Sequence, residues 1–212
     1  MAASLVIITP GGEVYWQVLG ESTYEITKIA DIQSASDKTQ VSLQNRQDSV
    51  VVTVTSETGS SEAEIKNFED NLVEIQAETA PQQVNIRKQG NNLVLQQQDV
   101  LASTNLSLTV DAERKKILVE TKTGKQYLGR LPKEVLQTSI LADYLTEESL
   151  SRLELSEDED GQAVYLLSGE KQIKLLEIIE FSVPVELSIS ATTGKVLKVQ
   201  QPLWLPFFDL IS

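Results

Sequence analysis

From Tyr24 to Gln98 the chain repeats one pattern, in which two or three apolar side chains at alternate positions are followed by a few turn-forming residues. Tyr24 and Ile26, Val41 and Leu43, Val50 to Val54, Ile65, Val73 and Ile75, Val84 and Ile86, and Leu93 with Leu95 carry the alternation. The intervening stretches 45–48, 56–60, 69–71, 80–81 and 89–92 each hold the Asn, Asp, Gly, Ser or Pro that turns require. A period of two places apolar side chains on one face and polar ones on the other, which predicts an antiparallel meander or a small solenoid with one wet face. A single-faced sheet of this kind is marginal alone and needs a cover.

The cover that the sequence offers is a helix. Pro132 suits the first helical position, and Val135, Leu136, Ile140, Leu141, Tyr144 and Leu145 form an apolar stripe at helical spacing, predicting a helix over 132–145. Thr146 before Glu147 and Glu148 reads as an N-cap with acids in the first turn, so a second short helix carrying Leu150 and Leu153 is expected. Two stretches of one design bracket the helix. Leu106 to Glu120 and Val185 to Val199 each run strand, polar turn, strand, and they are expected to be equivalent hairpins in one sheet, with Gly194 at a positive backbone angle. The segment 173–181 is rich in β-branched and aromatic residues and reads as strand, and Pro184 marks an edge or a bulge.

Chemistry is constrained mainly by what is missing. The chain has no Cys and no His, which removes the thiol nucleophile, the imidazole base and the zinc sites built from them. No Ser-x-x-Lys lies where a helix would present it, and Thr9-Pro10-Gly11-Gly12 lacks the Lys and helix of a phosphate loop. No acid sits in an apolar motif that would raise its pKa for acid–base work. A non-enzyme with no cofactor and no catalytic residue is therefore expected. Asp158, Asp160 and Gly161 occupy EF-hand spacings, but counting back puts Ser156 at the first ligand position and Leu167 at the twelfth. The acidic turn is read as solvated, with no metal bound. Against 18 basic residues stand 31 acidic ones, a net charge of -13 that repels a polyanion, so nucleic acid is not an expected partner.

At the N-terminus the apolar run Leu5 to Ile8 is far shorter than the ~20 residues of a membrane helix and lacks the basic start of a signal peptide. Stopping at Pro10-Gly11-Gly12, it reads either as the end of an anchor or as a first strand. Trp204, Phe207 and Phe208 place three of the chain's eleven aromatics in its last nine residues. They are read as a tail that folds back on a core, and alternatively as a contact with a partner or a membrane interface.

The stretch from Leu155 to Val199 resembles PepSY domains. The shared pattern is the acidic turn Glu157 to Gly161, the Val164-Tyr165 step, and Ile189-Ser190-Ala191-Thr192-Thr193-Gly194-Lys195-Val196-Leu197, with Ser190 where the pattern has Asp. The whole chain is similar in layout to exported, membrane-anchored bacterial proteins with an N-terminal anchor, a repetitive polar β-stretch and such a C-terminal domain. The resemblance implies an extracytoplasmic, membrane-anchored protein of the cell envelope. It also implies, as an alternative, a regulatory module of a membrane signalling system or a protease inhibitor.

These readings combine into an α+β protein, predominantly β. The N-terminal segment 1–21 is read as the remnant of an anchor or as a first strand, 22–100 as an elongated antiparallel meander, and 101–212 as a PepSY-like domain in which a helix packs on a C-terminal antiparallel sheet. The expected function is non-catalytic binding of a protein or an envelope polymer.

Overall fold

The computed structural model describes residues 6–16, 33–34, 38–46, 48–66, 71–78, 82–175 and 179–202. In chain order its strands begin with β1 (Val6–Ile8), β2 (Val14–Trp16), β3 (Gln33–Ser34), β4 (Gln40–Asn45), β5 (Ser49–Ser56) and β6 (Gly59–Lys66). Next come β7 (Asn71–Ile75), β8 (Val84–Gln89), β9 (Asn92–Gln97), β10 (Val100–Thr104), β11 (Leu108–Asp111), β12 (Lys116–Thr121) and β13 (Gly124–Tyr127). Beyond helix α1 (Pro132–Leu141) lie β14 (Leu150–Glu157), β15 (Ala163–Leu175), β16 (Ile179–Ser190) and β17 (Val196–Gln200). The protein is predominantly β, with one α-helix among the described residues.

The strands form two sheets. A six-stranded antiparallel sheet has the order β13-β12-β11-β4-β5-β6, and an eleven-stranded sheet has the order β17-β16-β15-β14-β10-β9-β8-β7-β1-β2-β3. In the smaller sheet the register aligns Ala63, Val52, Leu43, Leu108 and Val119 in one buried row. The opposite face of the same strands shows Glu62, Thr53, Ser42, Thr109, Leu118 and Tyr127. In the larger sheet Val6, Val73, Ile86, Leu95 and Ala102 align in the same way. Residues from both sheets belong to one buried cluster, so each apolar face covers the other.

The meander is therefore not one elongated sheet. Strands of 22–100 divide between the two sheets, and so do those of 101–212. The chain leaves the larger sheet for β4–β6 and returns as β7 parallel to β1, then leaves again for β11–β13 and returns through α1 as β14 parallel to β10. Parallel neighbours need such long crossovers. The two matching hairpins are both strand–turn–strand as expected, but β11–β12 lies in the smaller sheet and β16–β17 in the larger. Alternation specifies which face is apolar, and both sheets turn that face to the same core, so the pattern is silent on which sheet a strand joins.

Helix α1 starts at Pro132 as expected, and the Glu134 carboxylate accepts the N–H of Leu131 at 3.1 Å. It packs chiefly on β9 and β10 rather than on the C-terminal strands, with Val135 and Leu136 in the shared core. The helix stops earlier than the apolar stripe suggests. Asp143 turns to φ 54, its N–H bonds Ile140 and the Tyr144 N–H bonds Ser139, both at 3.0 Å. That is a Schellman stop with Asp in place of the usual glycine.

The expected second helix is strand β14 instead. Thr146 and Ser149 do exchange hydrogen bonds, the Thr146 N–H to Ser149 Oγ at 3.0 Å and the Ser149 N–H to Thr146 Oγ1 at 3.2 Å, which close a single turn. After it, Leu153 and Leu155 follow period two into the ladder with β15. The segment 173–181 is strand wherever it is described, in β15 and β16. Pro184 lies on β16 beyond the Glu186–Ile189 stretch that pairs with β17, so its missing N–H interrupts no ladder there. Gly194 has φ 74, and an added Cβ would meet only the flexible Arg130 side chain, at 2.9 Å. Gly194→Ala should cost about 1 kcal/mol, the price of a left-handed alanine, read as a small drop in melting temperature.

Candidate functional site

The same register that buries one face of the C-terminal strands aligns polar side chains on the other. Leu153, Leu167, Leu187 and Val199 face the core. On the outer face one row runs Glu154, Leu166, Ser188 and Lys198, and the next runs Arg152, Ser168, Glu186 and Gln200. These two rows floor a depression of about 580 Å³ across β14 to β17. Within it Leu166 is 40% exposed, and Leu197, which also lines it, is 50% exposed. These outward leucines, on β15 and β17, give the polar floor an apolar foothold that the fold itself does not use.

The acidic β14–β15 turn forms the wall of the depression, and it is tied down. Asp158 Oδ1 accepts the N–H groups of Asp160 at 3.0 Å and Gln162 at 2.8 Å, while Gly161 turns the chain at φ 74. The Gly161 carbonyl accepts from Thr123 Oγ1 and from Gln126 Nε2, each at 2.8 Å. Lys122 Nζ sits 2.8 Å from Glu157 Oε1, and the Lys122 N–H donates to Glu157 Oε2 at 2.9 Å. The wall is thus fastened to the β12–β13 turn of the smaller sheet. The Lys122 side chain and then its N–H hold the Glu157 carboxyl below the usual range, and the same pairing raises the Lys122 ammonium. On acidification the tether persists past the pH at which a free glutamate protonates, and it is lost only as pH falls through the lowered Glu157 pKa.

The carboxylates of the depression differ in their freedom. Glu154 pairs with Arg152 and Glu157 with Lys122, whereas Glu159 and Asp160 are exposed at the rim and Glu186 on the floor. Six acids line the depression against two bases. Two smaller cavities, of about 320 and 350 Å³, lie at the mouth of the sandwich and between β10, β14 and α1. At the second of these, Asp99 and Glu147 are already paired with Lys133.

The sequence-predicted contact residues Trp204, Phe207 and Phe208 lie outside the described residues, as do Tyr24 and Ile26. The acidic turn is a hairpin turn, as expected, with the Asp158 carboxylate occupied by its own loop amides. Among the described residues no group of three or more carboxylates converges on a point where a metal could sit. Ser168 and Lys171 do have Ser-x-x-Lys spacing, which the sequence reading overlooked. In strand β15 that spacing sends the two side chains to opposite faces, and Lys171 Nζ lies 3.1 Å from Asp143. The outer rows of β14–β17 were missed because a polar strand face has no motif. The available signal was Leu166, an apolar residue out of phase with Tyr165 and Leu167.

No helix among the described residues is long and apolar enough to cross a membrane. No protein-family model, characterised protein or solved structure matches the chain.

Proposed function

We propose that this protein is a non-catalytic binding module of the cell envelope that engages a protein or an envelope polymer through the outer face of β14–β17. The observation that carries the reading is the depression across those strands, with Leu166 and Leu197 exposed in it and a wall fastened to the other sheet. Its volume of about 580 Å³ falls within the range of ligand sites. The absence of His and Cys supports a binding role over catalysis. So does Glu157, whose pKa moves in the direction opposite to that of a general acid at neutral pH. The envelope placement enters through the PepSY-like pattern.

The test is a double variant, Leu166→Ser with Leu197→Ser. Both side chains are already about half exposed, so the melting temperature should stay within about 2 °C of wild type. Retention on immobilised peptide libraries or on purified envelope sacculi should fall about tenfold. If the variant is retained as well as wild type on every such surface, this face is not the binding site.

A further inference from the structure

The depression has a chemistry more specific than a general binding face, and we infer that its occupant is a basic, extended peptide segment of a partner protein. This inference rests on the binding-face reading above. Charge comes first. Once Arg152–Glu154 and Lys122–Glu157 are paired, Glu159, Asp160 and Glu186 are left facing the ligand space against Lys198. The chain as a whole carries a net charge of -13. A polymer bearing phosphates or carboxylates would meet like charge, whereas a lysine- or arginine-bearing segment is steered in and held.

Shape and polarity then narrow the class. The four strands lie about 4.8 Å apart, so the row from Glu154 to Lys198 spans roughly 14 Å. An extended chain crosses that width with about four or five residues, at about 3.4 Å each. Alternate side chains of such a segment point to the floor, where Leu166 and Leu197 offer apolar contact, and the remaining ones reach the acidic rim. An oligosaccharide would instead want aromatic stacking surfaces, and among the described residues no aromatic side chain lines the depression. The tied-down wall adds preorganisation, since a ligand need not order the backbone that carries Glu159 and Asp160 on arrival.

The probe is a fluorescein-labelled ten-residue peptide of alternating lysine and leucine or serine, followed by anisotropy with the 212-residue protein. Its counterpart with glutamate for lysine and a neutral linear glucan oligosaccharide serve as comparisons. The basic peptide should bind and the glutamate peptide should not. Affinity should fall about tenfold or more in Glu186→Lys with Glu159→Lys, and by a similar factor in Leu166→Ser with Leu197→Ser. Glu62→Lys, on the outer face of the smaller sheet, should change it less than about twofold. Melting curves of each variant show that the fold is retained.

Binding of the glutamate peptide as tight as that of the basic one would overturn the inference. So would lysine-peptide binding indifferent to Leu166→Ser with Leu197→Ser, which would mark diffuse attraction to an acidic chain. If the glucan binds and is lost with the leucine pair but not with the charge reversals, the peptide inference fails and the face reading stands. If no ligand responds to the leucine pair, both fail.

Discussion

Gly129→Ala is expected to lower the melting temperature by about 4 to 12 °C, the largest loss for a methyl group added at any glycine among the described residues. Gly129 follows β13 where the chain crosses from the smaller sheet to the end of β16. A Cβ built there would lie 1.9 Å from the Thr192 carbonyl oxygen and 2.9 Å from its carbon. The obstacle is backbone and cannot swing aside as a side chain would. Around it the contact is dense. The N–H groups of Gly129 and Arg130 both donate to the Ala191 carbonyl at 3.0 Å, and the Thr192 hydroxyl donates to the Tyr127 carbonyl at 3.3 Å. Tyr165, fully buried, donates its hydroxyl to the Arg130 carbonyl at 3.1 Å. Burial also pushes its phenol pKa up.

Forcing this junction apart should cost about 2 to 3 kcal/mol, as overpacking in a close-packed interior does, at about 2 to 4 °C per kcal/mol for a chain of this size. Gly90→Ala is the control. Gly90 has φ 58 but nothing within 4 Å of an added Cβ, so only the cost of a left-handed alanine, about 1 kcal/mol, applies. Equal melting temperatures for the two variants would mean that the 129–130 strap yields freely, and that the junction does not hold the β16–β17 turn in place.

What the sequence makes legible follows from what each residue's neighbours can decide locally. Val41 with Leu43, Val50 to Val54, Val84 with Ile86 and Leu93 with Leu95 are all strand, because alternate apolar residues between turn formers leave few other ways to bury one side. Pro132 fixes a helix start for an equally local reason. Long-range choices are not written in this way. The parallel joins of β1 to β7 and β10 to β14, and the assignment of the two matching hairpins to different sheets, depend on partners tens of residues away. Leu150 shows the two regimes in conflict. Thr146 and Ser149 satisfy a local cap, Leu150 and Leu153 satisfy helical spacing, and yet β15 offers a whole ladder of hydrogen bonds to a strand. The ladder wins, with an irregularity between Leu150 and Arg152 as its trace. The outer face of β14–β17 was illegible for a related reason. Glu154, Leu166, Ser188 and Lys198 are neighbours only because three registers align them.

Lys88→Met is expected to stabilise the protein, by about 1 to 3 kcal/mol, with a rise in melting temperature of about 2 to 12 °C. Lys88 stands on β8 in phase with Val84 and Ile86, opposite Leu93, so its side chain is on the core face. It is 5% exposed, and among the described residues its ammonium has no hydrogen-bond partner. Three donors and a charge are thus withheld from water without compensation, a cost that most proteins avoid by pairing or by letting the stem reach the surface. Methionine keeps nearly the same length and flexibility while removing the charge, so it can occupy the same space without overpacking. Lys88→Gln separates the two contributions, because it removes the charge but leaves polar atoms to satisfy, and it should gain less than methionine does. Thermal and urea unfolding of the three proteins decide the matter, with an unchanged urea slope showing that the effect lies in the folded state. A methionine variant that melts below wild type would show that the ammonium is compensated within the folded protein, and that Lys88 is a structural anchor of the larger sheet rather than a defect in its core.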